Sequence, residues 1–150
     1  MFVDFILATA HHLTMLFLVM LLFTQIVLVQ APMDAARIGR SAALDRAYGG
    51  LALLMLAFGF ARVFFSLKDP SFYVSNPVFW AKIGAFVLVG LLSIRPTLLF
   101  LRWARMSASD TAFQPPANET DSVRRFLRLE AIVFMTIPIL AAAMARGIGI

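Results

Sequence analysis

Apolar residues fall into four long stretches divided by three polar connections. The stretches cover about 5–29, 48–67, 78–100 and 130–147. A helix needs roughly 20 predominantly apolar residues to cross a bilayer. The fourth stretch reaches that length only if Glu130 and Arg146 sit at its two interfaces. The pattern therefore predicts an all-α integral membrane four-helix bundle, formed as a single transmembrane domain over residues 1–150. Val29-Gln30-Ala31 would pass as a signal-peptide cleavage site. However, the leader Met1-Phe2-Val3-Asp4 has no cation and the apolar run is far longer than a signal core, so the first stretch is read as a span.

The connections read differently from one another. The first, 32–47, carries Asp34, Arg37, Arg40, Asp45 and Arg46. The second holds Lys68-Asp69-Pro70 and Asn76-Pro77, where proline should stop a helix. The third, 101–129, is the longest and contains Gln114-Pro115-Pro116-Ala117-Asn118, a stretch expected to be flexible.

Composition agrees with the bilayer. Apolar types make up 61% of the chain and charged ones 14%, with a mean hydropathy of +0.88. About a quarter charged is usual for a soluble domain, so a water-soluble globule is excluded. The absence of cysteine removes thiolate catalysis, Cys-ligated zinc and iron–sulfur clusters. No Gly-rich phosphate loop, HExxH or nucleophile elbow is present.

The net charge of +5 is a topology signal, not a nucleic-acid footprint. The first and third connections together hold Arg37, Arg40, Arg46, Arg102, Arg105, Arg124, Arg125 and Arg128, whereas the other side has Lys68 and Arg146. The positive-inside rule then places both termini on the non-cytoplasmic side, and leaves the arginines close to anionic lipid.

Charged or imidazole side chains within spans are costly and usually face the bundle interior. By depth, His11, His12, Arg62, Lys82 and Arg146 fall in the non-cytoplasmic half, and Arg95 in the other half with Glu130 as its expected partner. Helical spacing aligns Asp4, His11, Thr14, Leu18 and Gln25 on the first span, Tyr48, Met55, Gly59 and Arg62 on the second, and Lys82, Phe86, Val89, Ser93 and Pro96 on the third. Ala141-Ala142-Ala143 would let the fourth helix approach its neighbours closely. His12 has apolar neighbours at helical spacing, which makes His11 the better inward candidate.

A hollow lined by imidazole, lysine and arginine and walled by Phe and Leu matches haem b. That cofactor needs an axial nitrogen, apolar walls and cations for two propionates. His11 or His12 would ligate the iron, Arg62 and Arg146 would clamp propionates, and Lys82 would do the same or serve as the opposite ligand. The bland reading is that cations near an interface snorkel to the headgroups and that a membrane histidine bonds to another helix. The scattered methionines read as core, and Trp80 and Trp103 as interfacial anchors of the third span.

Asp45-Arg46-Ala47-Tyr48-Gly49, Arg62-Val63-Phe64, Phe79-Trp80-Ala81-Lys82, Ser93-Ile94-Arg95-Pro96-Thr97 and Met144-Ala145-Arg146-Gly147 resemble a family of small four-span bacterial inner-membrane proteins of unassigned function. The resemblance implies a multi-pass protein of the inner (cytoplasmic) membrane. More remotely, an early histidine in the first span and Trp80-Ala81-Lys82 opening the third look like HemJ-type protoporphyrinogen oxidases and, more loosely, copper-resistance D membrane proteins. In the HemJ type these positions are associated with bound haem b; carried over, they fall on His11 (or His12) and Lys82 as metal-site residues. Arg62 and the Arg95-Pro96-Thr97 turn depart from that type.

The leading expectation is a haem b-binding membrane protein with an electron-transfer or oxidoreductase role, served by quinone or a periplasmic redox partner. The alternatives are a non-enzymatic small subunit or assembly factor of a larger membrane complex or homo-oligomer, and copper or small-solute transport. Haem-dependent catalysis and a non-catalytic role are both compatible with these residues.

Overall fold

The computed structural model describes residues 1–65 and 69–149. Its elements are α1 (Phe2–Leu28), α2 (Ala35–Phe65), α3 (Pro70–Val74), α4 (Pro77–Ser109) and α5 (Ala117–Ala145). α1, α2, α4 and α5 are each long and apolar enough to cross a membrane. The end of the second predicted span, 66–67, and Lys68 lie outside the described residues.

The helices outrun the apolar stretches that predicted them. α2 starts within the first polar connection, α4 runs into the third, and α5 starts well before residue 130. Hydropathy averaging misses these extensions because they are amphipathic. Within them Ile38, Ser41, Ala42 and Asp45, then Phe100, Trp103 and Ser107, then Thr120, Val123 and Leu127 are buried at three- and four-residue intervals. The expected flexible stretch is divided among other roles: Pro115 is buried, Pro116 is the N-cap of α5, and Ala117 and Asn118 open that helix.

The prolines of the second connection start helices instead of stopping them. The Asp69 carboxylate accepts the Ser71 amide at 2.9 Å, with Pro70 at the first helical position of α3. Asn76 Oδ1 accepts the Val78 amide at 2.8 Å ahead of Pro77 in α4. A side-chain acceptor followed by proline is a helix N-terminus, since proline lacks the amide that would have no partner there. Asn76 is fully enclosed, and its Nδ2 donates to the Ile148 carbonyl at 3.3 Å, tying the C-terminal turn to this end. Gly149, at φ +95°, passes so close that a Cβ there would stand 2.6 Å from Asn76 Oδ1.

The long helices close a ring: α1 packs on α2, α2 on α4, α4 on α5 and α5 back on α1, with α3 set across α2 and α4 at one end. The main core includes Leu18, Leu22, Ile38, Phe100, Trp103, Val123, Leu127 and Phe134. Its greater part lies toward the arginine-rich end. A separate small cluster of Val63, Tyr73, Phe79 and Met144 lies at the α3 end.

Two expectations change at the arginine-rich end. Trp103 is not an interfacial anchor; it is wholly buried against Phe100 and donates to Glu119 Oε2 at 2.9 Å. Its indole lies in the part of α4 that extends beyond the apolar run, where α5 covers it. Trp80, by contrast, is 56% exposed, as an anchor should be. Arg95 does not pair with Glu130 but lies over the Phe126 ring, 5.2 Å from its centroid. Glu130 is enclosed beside Tyr48 and Asp45 of α2 instead.

Candidate functional site

All five helices contribute to one cavity of about 500 Å³ at the α3 end. That volume lies within the roughly 300–1,000 Å³ typical of small-molecule sites. Its polar lining is His11 and His12 of α1, Arg62 of α2, Tyr73 of α3 and Lys82 of α4; the walls are largely Met, Phe, Leu, Ile and Ala. The exposed residues His12, Phe60, Ala142 and Ala145 belong to the lining, so the hollow reaches the outer surface of the bundle.

The three stripes read from helical spacing converge as expected. Thr14, Leu18 and Gln25 of α1, Tyr48 and Met55 of α2, and Val89 and Pro96 of α4 are buried, which turns His11, Arg62 and Lys82 of the same faces inward. His11 sits against α2 at the one position where its ring can approach the backbone closely. A Cβ added at Gly59 would meet His11 Cε1 at 3.4 Å and Nδ1 at 3.9 Å. The His11 ring meets the Met55 backbone of α2, while its Nδ1 is buried and has no hydrogen-bond partner at good geometry. A buried polar nitrogen left in this way costs about 1–3 kcal/mol, which a ligand atom would relieve.

His12 stands edge-on to His11, with ring centroids 6.2 Å apart. Its Nδ1 donates to the Ala8 carbonyl at 2.6 Å. In the neutral ring this leaves Nε2 as the bare nitrogen, the arrangement that commonly orients a metal-binding imidazole. Both histidines thus reach the cavity, one buried and one at its edge.

Among the described residues, the charged side chains that line the cavity are Arg62 and Lys82. Arg62 and Lys82 lie close enough to His11 to act on it electrostatically, and Arg62 acts likewise on Lys82. Arg62 Nε is buried without a partner, and Lys82 Nζ lies 5.3 Å from the centroid of the Phe79 ring. Among the described residues no carboxylate lines the cavity. Two cations facing one apolar hollow are the kind of groups that a carboxylate with an apolar body would need.

Arg146 is not brought into this group. It is exposed, it is absent from the lining, and its guanidinium donates to the Ala142 carbonyl at 3.3 Å. As the C-cap of α5 it folds back on the last turn, where a cation meets carbonyls lacking helical partners. The sequence stripes also missed several walls of the cavity. Phe72 and Tyr73 arrive on α3, which the Asp69-Pro70 start signal would have revealed, and Pro138 arrives on α5. Among the described residues no group of three or more His, Asp or Glu gathers in a way that could hold a metal ion by itself.

These features define a multi-pass membrane protein whose four-helix bundle holds an amphipathic cavity at one end. The chain belongs to the family described as predicted membrane protein (DUF2214), which matches residues 3–149. No curated protein and no solved structure matches it.

Proposed function

We propose that the cavity at the α3 end binds haem b and that the protein serves electron transfer or a redox reaction in the membrane. The observation that carries this reading is the buried, unpartnered His11 Nδ1 in a largely apolar cavity ringed by Arg62 and Lys82. Haem b requires a nitrogen for its iron, apolar walls for the macrocycle and cations for its carboxylates, and these side chains are of those kinds. His11 would hold the iron, with His12 Nε2 the other candidate nitrogen. Arg62 would hold a propionate, and Lys82 either the second propionate or the iron. Bound there, the group would supply one-electron chemistry. The likeness of His11 and Trp80-Ala81-Lys82 to the HemJ-type pattern supports the same assignment.

Orientation gives the site its setting. With the eight arginines of the first and third connections toward the cytoplasm, the cavity lies in the opposite leaflet of a bacterial inner membrane. Quinone in the bilayer and a periplasmic donor are then both within reach. The test is an absorption spectrum of the detergent-purified full chain, oxidised and reduced, followed by pyridine haemochrome assay and titration with haemin. The expected result is a Soret band at a stoichiometry near one haem per chain, lost in His11→Ala. No band after titration, in protein that remains helical, overturns the reading; loss in His12→Ala but not His11→Ala moves the ligand to His12.

A further inference from the structure

Further along the bundle, beyond the shared Phe86, lies a second cavity of about 80 Å³. Its polar lining is Asp45 and Tyr48 of α2 with Ser93 and Thr97 of α4. A water needs roughly 10–15 Å³ of such space and two to four polar partners, so the chamber has room and chemistry for more than one. Thr97 Oγ1 donates to Asp45 Oδ1 at 3.0 Å, and the Ser93 hydroxyl is engaged with the Gly90 carbonyl.

Behind Tyr48 stands Glu130 of α5. Its side chain is 0% exposed, and neither carboxyl oxygen has a partner at hydrogen-bonding geometry. The titratable groups acting on it are Tyr48 and Asp45, both from α2; Asp45 in turn faces the Thr97 hydroxyl of α4 and the charge of the adjacent Arg46. Among the described residues no Lys or Arg forms an ion pair with either carboxyl, and Arg95 is turned onto Phe126. Two neighbouring carboxyls, of which Glu130 has no donor and Asp45 has the Thr97 hydroxyl, cannot both keep their charge cheaply, because burial without a counter-ion costs several kcal/mol per ion. One proton held by the pair lowers its charge from two to one and so reduces that cost without further ligands. A metal cation would need six or so oxygens around it, more than this chamber presents.

We propose that Asp45 and Glu130, linked through Tyr48, form a proton-holding site that exchanges with the arginine-rich side of the membrane. Asp45 is the member next to Arg46 and retains the pair's small residual exposure, at 8%, so exchange runs through it. A proton reaching Asp45 crosses water in the chamber to Tyr48. The phenol oxygen accepts it as its own proton passes to a Glu130 oxygen, so the Asp45 and Tyr48 oxygens each take one proton and give one, Glu130 keeps it, and no electron moves. Phe86 separates this path from the larger cavity, and the site does not depend on what that cavity binds.

Infrared spectroscopy of the full chain in lipid nanodiscs at neutral pH reads the proton directly. The expected spectrum contains the carbonyl stretch of a protonated carboxyl, shifted in heavy water. Glu130→Gln abolishes the band, and Tyr48→Phe shifts it as the neighbouring phenol is lost. Asp45→Asn, which leaves Glu130 intact, shifts or removes it, so the assay does not depend on one variant folding. Absence of the band, a band indifferent to all three substitutions, or a band seen only when sodium and potassium are withheld overturns the proposal; the last of these would assign a cation site. A haem-free preparation gives the same spectrum, so failure here and failure of haem binding are separate results.

Discussion

The two ends of the bundle treat the same kinds of side chain in opposite ways. At the arginine-rich end, Glu119 takes both the Trp103 indole N–H at 2.9 Å and Arg102 Nη2 at 3.2 Å, and Arg95 lies on Phe126. Phe100, Trp103 and Val123 are fully enclosed there. At the α3 end, Arg62 and Lys82 meet no carboxylate among the described residues, His11 Nδ1 has no hydrogen-bond partner there, and about 500 Å³ is left unfilled by their side chains. Helices in a bilayer gain little from simple apolar burial, because lipid tails are as apolar as leucine. Packing must therefore hold the bundle, and the first end supplies it, even though Arg124 Nε, Ser41 Oγ and the polar atoms of Gln25 and Glu130 are buried there without partners. The second end leaves one hollow unpacked, as a site shaped for something else to enter would.

The largest test of that contrast is aromatic deletion. Trp103→Ala removes a fully buried ring and its bond to Glu119, and should cost about 3–5 kcal/mol. Phe86→Ala borders space that is already open, and should cost about 1 kcal/mol. Thermal unfolding in a single detergent ranks the two variants. Equal losses would mean that the hollow is as tightly filled in solution as the rest.

Enlargement gives the reverse comparison with smaller effects. Ala131 is 7% exposed within the main core, so Ala131→Leu should overpack it by about 1–3 kcal/mol. Ala141 lines the cavity, and Ala141→Leu should leave stability unchanged or raise it by about 0.5–2 kcal/mol, as cavity filling commonly does. Unfolding midpoints check both. If the cavity takes haem as proposed, the second variant should also fail to bind haemin, which separates a filled site from a damaged fold.

Much of this contrast was legible from the chain. The four apolar stretches located the spans, and the faces bearing His11, Arg62 and Lys82 followed from helical spacing. What failed was inference along one dimension about partners in three. Arg95 and Glu130 were matched by depth alone, yet rotation about α4 and α5 gives one to Phe126 and the other to Tyr48. Trp103 was placed by its distance from the third span's end, although α4 continues past it and α5 covers it. Arg146 was grouped with the cavity for the same reason and instead turns back on its own helix. The close seat of His11 on Gly59 had a signal, a glycine on the inward stripe of α2, but only the neighbouring helix shows what fills the space.

The smallest effects are the most discriminating because their signs should differ. Arg102→Met removes half of a partly exposed ion pair, whose side chains are 49% and 23% exposed, and such pairs contribute about 0–1 kcal/mol. It should lower stability slightly, and less in high salt, where screening has already weakened the pair. Arg62→Met removes a cation whose Nε is buried without a partner, and it leaves no buried carboxylate stranded in the cavity. Replacing such a group by an apolar side chain of similar length should raise the stability of the ligand-free protein by a few tenths to about 1 kcal/mol. Haem affinity should fall about tenfold in the same variant, the equivalent of one charge-assisted hydrogen bond to a carboxylate at about 1.4 kcal/mol. Urea or thermal unfolding with and without haemin measures both quantities on one sample. If Arg62→Met destabilises the ligand-free protein as Arg102→Met does, Arg62 has an internal partner, and the cavity is not an anion site awaiting its ligand.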